Sequence, residues 1–262
     1  MAKTVLAIVP HPDDAEFYAG GTLAKFAQAG DKVVIVTTTD GSKGSFELSG
    51  KQLIDVRRQE ALNAGKSLGA DKVIQLGYTD FELDRLQPTE LREKYVHLIR
   101  EYKPDILITE DYLYSAELHP DHRIVARVAA ESVTFASLPL LYPKHLEEGL
   151  AAHFTPEKYY YTEDLAAANK IVDISETFEN KMAALFEHKS QIIFLVEDIL
   201  RQAQVAGLNL KDTVGDALND PNTAVRLAMQ MQAIEVGEKG GVPMGEAFRV
   251  TRFHPLIESL LS

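Results

Sequence analysis

Apolar positions in the first half of the chain fall into two alternating kinds of run. Short, unbroken stretches of β-branched and aliphatic residues (Thr4 to Val9, Lys32 to Thr38, Lys72 to Leu76, Asp105 to Thr109) have no polar face. They predict strands buried on both sides. Between them lie longer stretches with helical spacing. Gly20 to Ala29 places Leu23, Phe26 and Ala27 on one face and stops at Gly30. Ile54 to Leu68 stops at Gly69, Thr89 to Tyr102 is broken by Lys103-Pro104, and Pro120 to Ser132 follows the fourth strand. Glycine just past a helix and proline shortly after it are the expected stop signals.

The order β-α-β-α-β-α-β-α predicts a parallel sheet, because parallel neighbours need crossover connections, with helices on both faces. The expected class is α/β: a Rossmann-like three-layer sandwich with a mainly parallel sheet, plus a mixed helical and β C-terminal part. The pattern is less regular after residue 134. Phe135 to Pro156, with Pro139, Pro143 and Pro156, predicts a long connection. Lys158 to Tyr161 and Lys170 to Ile174 predict strands, Glu176 to Ala206 two helices, Thr223 to Ile234 a helix and Ala247 to Phe253 a late strand. Leu208 to Asn222 is polar and turn-rich, and Gly237 to Gly245 is expected to be a mobile, glycine-rich segment. Residues 1–262 are expected to form one domain, a core over 1–134 and a part over 135–262 that shapes the substrate site. Specificity is expected in Phe135 to Pro156 and Leu208 to Gly245.

Composition narrows the chemistry. The 262 residues carry a net charge of -12 with 25% charged residues, so nucleic acid is an unsuitable partner. There is no cysteine, which excludes disulfides, thiolate metal sites and cysteine nucleophiles. Any metal must be held by nitrogen and oxygen. The opening MAKTVLAIVPHPDD has only a short apolar run and no cleavage pattern, and no stretch, Lys189 to Val196 included, is long enough to span a bilayer. A cytoplasmic location, without membrane association, is expected.

Two tetrapeptides carry the candidate chemistry. His11-Pro12-Asp13-Asp14 ends the first strand, and His119-Pro120-Asp121-His122 opens the helix after the fourth. Both fall beyond the carboxyl ends of strands, where open α/β sheets bind ligands. Two imidazoles and one carboxylate hold Zn²⁺ with a position open for water. The metal lowers the pKa of that water and polarises a carbonyl. Each motif has groups to spare. One of Asp13 and Asp14 can bind metal while the other faces the water. One of His119 and His122 can ligate while the other acts as acid or stabilises an oxyanion. Asp121 could orient an imidazole, and Pro12 and Pro120 fix φ. One HPD alone often marks only a helix cap; two near-copies in post-strand loops of one sheet are much harder to explain so.

The chain resembles the LmbE/PIG-L family of zinc-dependent N-deacetylases. The resemblance rests on VPHPDDAEFYAGGTLAKFAQAG and AELHPDHRIVARVAAES, with weaker support from TTTDGSKGS, RRQEALNAGKSLG, LGYTDFEL, KMAALFEHKSQ and GEAFR. It implies that His11, Asp14 and His122 bind the metal. It implies that Asp13 is the general base, and that His119, supported by Asp121, stabilises the tetrahedral intermediate or protonates the amine. It also implies Zn²⁺, replaceable by Fe²⁺ or another divalent ion, a small N-acetylated amino-sugar substrate, and a homo-oligomer. Many members continue HPDD with an immediate glutamate; here Ala15 intervenes and the acid is Glu16.

Further candidates for substrate contact are one of Arg57 and Arg58, Asp40 in the loop after the second strand, Asp80 after the third, and His188, which matches a late family pattern. His97, His145, His153 and His254 have no partner motif and read as fillers; Tyr159 to Tyr161 read as core. Three alternatives stand beside the deacetylase reading. One is an amidase acting on a related sugar–thiol conjugate. Another is a non-heme iron oxygenase, whose facial triad uses the same ligands. The third is a non-catalytic sugar or nucleotide module, although no G-x-G-x-x-G follows the first strand.

Overall fold

The computed structural model describes residues 2–210 and 220–261. Its first half runs β1 (Thr4–Val9), α1 (Asp14–Gln28), β2 (Lys32–Thr39), α2 (Gly50–Leu68), β3 (Lys72–Tyr78), α3 (Pro88–Tyr102), β4 (Ile106–Glu110) and α4 (Pro120–Phe135). The second half adds α5 (Lys144–Glu147), β5 (Glu157–Tyr161), β6 (Lys170–Asp173), α6 (Phe178–Leu185), α7 (Lys189–Val205), α8 (Pro221–Gly240), β7 (Gly245–Thr251) and α9 (Pro255–Leu261). All seven strands form one sheet in the order β3-β2-β1-β4-β5-β7-β6. The first five in that order pair in parallel, and β7 runs antiparallel between β5 and β6.

The three layers follow from the strand alternation. Val5, Ala7 and Val9 of β1 face α1 and α2, where they pack with Ala19, Leu23, Ala64 and Leu68. Leu6 and Ile8 face α3 and α4, where they meet Tyr95, Ile99, Val125 and Ala129. Chain order takes β1 to β2 to β3 in one direction, then returns past β1 to place β4 on its other side. The connection therefore reverses between β1 and β4, and the loops leaving their carboxyl ends diverge to open a crevice. A smaller core joins α6, α7 and α8 through Phe178, Met182, Ile192, Val196, Val225 and Ala233.

Two expectations need correction, and a third falls outside the described residues. Helix α1 begins at Asp14 rather than near Gly20. Its first turn carries Asp14 and Glu16, acids suited to the positive end of a helix but without an apolar period. Helix α8 runs through Gly237 to Gly240 and is capped by Gly241 at φ 69°, so this stretch is not a free glycine-rich segment. Packing of α8 against β6 and β7 outweighs the roughly 1 kcal/mol that a helical glycine costs. The turn-rich stretch expected after Leu208 lies largely outside the described residues, over 211–219. Among the described residues no helix is long and apolar enough to cross a membrane.

The connection from α4 to β5 is ordered by one buried cation. Arg100, fully buried, donates to the carbonyls of Ala136, Leu138, Leu141 and Tyr142 at 2.7–3.2 Å. Replacing it with Met leaves those acceptors without their donor. The expected result is a loss of about 2–4 kcal/mol, read as a lower Tm in thermal unfolding, with metal binding unaffected.

Candidate active site

The crevice between β1 and β4 holds the two tetrapeptides. His11 and His122, 111 residues apart in sequence, bring His11 Nδ1 to 3.1 Å from His122 Nε2. Asp14 brings Oδ2 to 3.3 Å from the first nitrogen and Oδ1 to 3.6 Å from the second. A tetrahedral ion bound at roughly 2.0–2.1 Å requires ligand atoms about 3.3 Å apart, so the three donors are spaced as such an ion needs. Two overlapping groups of donors, His11–Asp80–His119–Asp121 and Glu110–Glu117–His122, are also compact among the described residues. They use the far sides of the same imidazoles. His11 Nε2 lies 3.2 Å from Asp80, and His122 Nδ1 lies 2.8 Å from Glu110. A carboxylate behind each imidazole fixes its tautomer and aims its other nitrogen inward, as around bound metals.

Electrostatics point the same way. Burial lowers the pKa of His11, but Asp121, Asp14 and Asp80 outweigh it and hold the ring well above its ordinary value. Burial likewise lowers His122, but Asp14 and Glu110 bring it up to about 9. Burial raises Asp14, yet the two imidazoles pull it far below the usual carboxylate range. The surroundings favour positive charge at the point where the three donors meet, which fits a divalent cation.

Asp13 sits beside this cluster in a strained turn, with φ 136° and ψ -26°. A non-glycine residue there costs on the order of 1–3 kcal/mol. Arg57, buried on α2, holds the turn: one guanidinium nitrogen donates to Pro12 O at 2.6 Å and pairs with Asp13 at 3.0 Å. The other donates to Gly41 O at 3.1 Å. Gly41 has φ 63°, and a Cβ there would fall 2.4 Å from the guanidinium. Burial raises the Asp13 pKa to about 6, with Arg57 opposing the shift and Asp14 reinforcing it.

His119 caps α4, and its Nδ1 accepts the Asp121 N–H at 3.2 Å. Because that nitrogen must accept, the proton of the neutral ring is on Nε2. Burial lowers its pKa and the two neighbouring imidazoles lower it further, which keeps the ring neutral. The Asp121 carboxylate turns elsewhere: it accepts the N–H groups of Phe81 at 2.6 Å and Leu83 at 3.3 Å, and lies 3.6 Å from His11. Asp121 thus supports His119 through its main chain, not its side chain.

Of the other candidates, Asp80 and Arg57 line the cleft, whose volume is about 540 Å³. Arg58 does not; it is exposed on the opposite face of α2. Asp40 organises its loop by accepting the N–H groups of Ser42 and Asp80. His188 does not line the cleft; it is fully buried 3.3 Å from Glu16, close enough to Asp13 and Arg57 to feel both charges. Residues 135–156 contribute nothing to the cleft, and neither do the described residues of 208–245. The second half supplies Gln191, Phe194 and Leu195 of α7 instead. Sequence reasoning missed these, along with Glu110, Glu117, Tyr18 and Phe81. Glu110 is the last residue of β4, so the sheet-edge rule could have found it.

The fold and this donor set are those of an α/β protein with a candidate divalent-metal site at its sheet edge. Known proteins narrow the class. The family model described as PIG-L, GlcNAc-PI de-N-acetylase, matches residues 6–133. Diacetylchitobiose deacetylase of Thermococcus kodakarensis is 38% identical over 192 residues, which cover 72% of this chain and 70% of the relative. Probable N-acetyl-alpha-D-glucosaminyl L-malate deacetylase 2 of Bacillus cereus is 27% identical over 203 residues, 76% of this chain and 88% of the relative. The solved structure of N,N'-diacetylchitobiose deacetylase from Pyrococcus horikoshii, complexed with its inhibitor MPG, matches with a TM-score of 0.78 and 32% identity, over 96% of this chain and 84% of that one. The chain belongs to the PIG-L family of deacetylases.

Glu110→Gln keeps the shape of the group behind His122 but removes its charge. A 10- to 100-fold weaker affinity for a divalent ion is expected, measured by competition with a chromophoric chelator.

Proposed function

We propose that the chain is a zinc-dependent N-deacetylase that hydrolyses the acetamide of a small amino-sugar substrate. The observation that carries this reading is the convergence of His11, Asp14 and His122 beside a half-buried, spare carboxylate, Asp13. His11 Nδ1, the Asp14 carboxylate and His122 Nε2 would hold the ion. An all-nitrogen-and-oxygen set of two imidazoles and a carboxylate suits zinc. When bound, zinc supplies Lewis acidity at the carbonyl and lowers the pKa of the attacking water.

The remaining steps fall to the side chains. Asp13, near neutrality in its pKa, takes the proton from the attacking water and returns it to the departing amine, so one carboxylate serves as base and then acid. Arg57 keeps Asp13 in its strained turn while that proton moves. The Nε2–H of His119 donates to the carbonyl oxygen as negative charge develops there. Phe17, Tyr18, Phe81 and Phe194 give the cleft apolar ring faces of the kind that pack on a sugar, while Lys43, Asp80 and Gln191 offer polar contacts to hydroxyls. The names of the relatives support an N-acetylglucosamine-type substrate. The shared sheet, to which both halves contribute strands, supports one domain.

The test is a panel of N-acetylated sugars and sugar conjugates, with amine release followed with zinc and after chelation. Chelator-sensitive release from at least one member is expected; no release from any would sink the reading. Asp13→Asn should keep its zinc and lose 10²- to 10⁴-fold in kcat. His119→Ala should lose about 10²- to 10³-fold in kcat. Unchanged turnover in either variant removes the role assigned to that residue.

A further inference from the structure

Strand β7 lies outside the two motifs, yet it contacts the helix that follows the first and the turn that leads to the second. Its Glu246 is buried and forms an ion pair of 2.7 Å with buried Lys181 of α6. The Glu246 carboxylate also accepts the N–H groups of Gly21 at 3.0 Å and Thr22 at 2.8 Å, in the middle of α1. The Lys181 ammonium donates to Phe17 O at 2.7 Å, one turn earlier. Phe17 O and Gly21 N are the two ends of a single i to i+4 rung of the helix. The ion pair therefore grips α1 at one rung, one turn beyond Asp13 and Asp14. The adjacent glycines allow it: a Cβ at Gly20 would fall 3.0 Å from Lys181 Cγ, and one at Gly21 would fall 2.7 Å from Ile174.

Arg249, three residues along β7, lies on the other face of the strand. Its guanidinium forms a two-pronged pair with Asp111, at 2.7 and 2.5 Å, and stacks over Tyr112 and Tyr160. Asp111 follows Glu110 directly and accepts the Leu113 N–H, while its carbonyl accepts the Tyr114 N–H. That turn leads to Glu117, whose carboxylate accepts the His119 N–H at 2.5 Å.

We propose that β7 braces the metal cluster. In this view Glu246, with Lys181, positions the helix carrying Asp13 and Asp14. Arg249, through Asp111, positions the strand end and turn carrying Glu110, Glu117 and His119. Both are positioning residues: neither lines the cleft. A buried ion pair gives little or no net stability over well-packed apolar side chains, because desolvation offsets its attraction. Stability is thus a poor reason for Lys181 and Glu246 to be charged, whereas fixing a helix within tenths of an ångström of ligand geometry is a good one. GEAFR, which holds both residues, gains a physical meaning: one strand carries a hook for each motif.

The inference rests on the zinc reading, and the two fail differently. The zinc dissociation constant, kcat and KM are measured for the parent chain and for Glu246→Gln, Arg249→Lys and Arg100→Met. A parent that binds no zinc removes the zinc reading itself. If the brace holds, the β7 variants bind zinc 10- to 100-fold more weakly and lose kcat even at saturating zinc, with KM within about twofold. Arg100→Met, a buried but remote change, lowers Tm and leaves zinc affinity as in the parent. Folded β7 variants with parental zinc affinity and kcat overturn the brace. Should Glu246→Gln fail to fold, Lys181→Arg replaces it: it keeps the charge but not the reach, and parental zinc affinity in that variant counts against the proposal equally.

Discussion

Acidic groups crowded around two imidazoles are the constraint on which this structure depends. Asp13, Asp14, Asp80, Glu110, Glu117 and Asp121 meet His11 and His122 at one edge of the sheet, with Arg57 the guanidinium among them. Like charges at such separations are tolerated only where positive charge or directed N–H groups answer them. The answers are visible: backbone N–H groups of His11, Lys43, Phe81 and His119 point at Asp14, Asp80, Asp121 and Glu117. The remaining excess of carboxylates raises the pKa of both His11 and His122 against the effect of burial, as surroundings that favour positive charge do. The edge of the sheet is the place for this because loops leaving β1 and β4 diverge there and strand ends supply the outer carboxylates.

Strain and its compensation follow the same plan. Two non-glycine residues at the site have positive φ, Asp13 at 136° and Phe81 at 64°. Each is held by a buried charged group from a distant element: Arg57 of α2 grips the first turn, and Asp121 of α4 accepts the Phe81 N–H. Phe81 is thereby set with its ring 4.5 Å from that of His119. The unfavourable turns are thus tied to buried groups that also meet His11 and Asp13, so relaxing one would shift those side chains.

Much of the fold was legible because burial on both faces removes polar positions from the strands. The four strands of the first half fall within two residues of the apolar runs. The site was legible where chemistry is dense in sequence, as in the two tetrapeptides, and less so where it depends on rotation about a helix. Arg57 and Arg58 differ only in phase: Leu53, Arg57, Ala61 and Ala64 share the buried face, and a helical count from Leu53 separates the two arginines. Asp40 and His188 show how an acid or imidazole near a motif also serves the scaffold: the first orders its loop and the second lies against Glu16. The prolines of Phe135 to Pro156 suggested a loop free to shape the cleft; Arg100 ties part of it down on the far side of the α3/α4 layer, and no pattern of spacing forecasts that a single arginine will collect four carbonyls.

The cleft draws its walls from two separately anchored parts of the chain. The family match ends at residue 133, and every proposed ligand, base and oxyanion donor lies inside it. Beyond it, the cleft receives Gln191, Phe194 and Leu195, all on one helix. Helix α7 is joined to the reaction half by contacts separate from the metal cluster: Gln191 donates to Gly44 O, and Ser190 donates twice to Glu60 of α2. Phe194 meets Phe46, over which the Arg201 guanidinium lies at 4.0 Å. The wall formed by Phe194 and Leu195 is therefore held by contacts that involve none of His11, Asp14 and His122. The cleft thus joins a sheet edge inside the matched region to one wall from a helix outside it, and the two are held in place by different contacts.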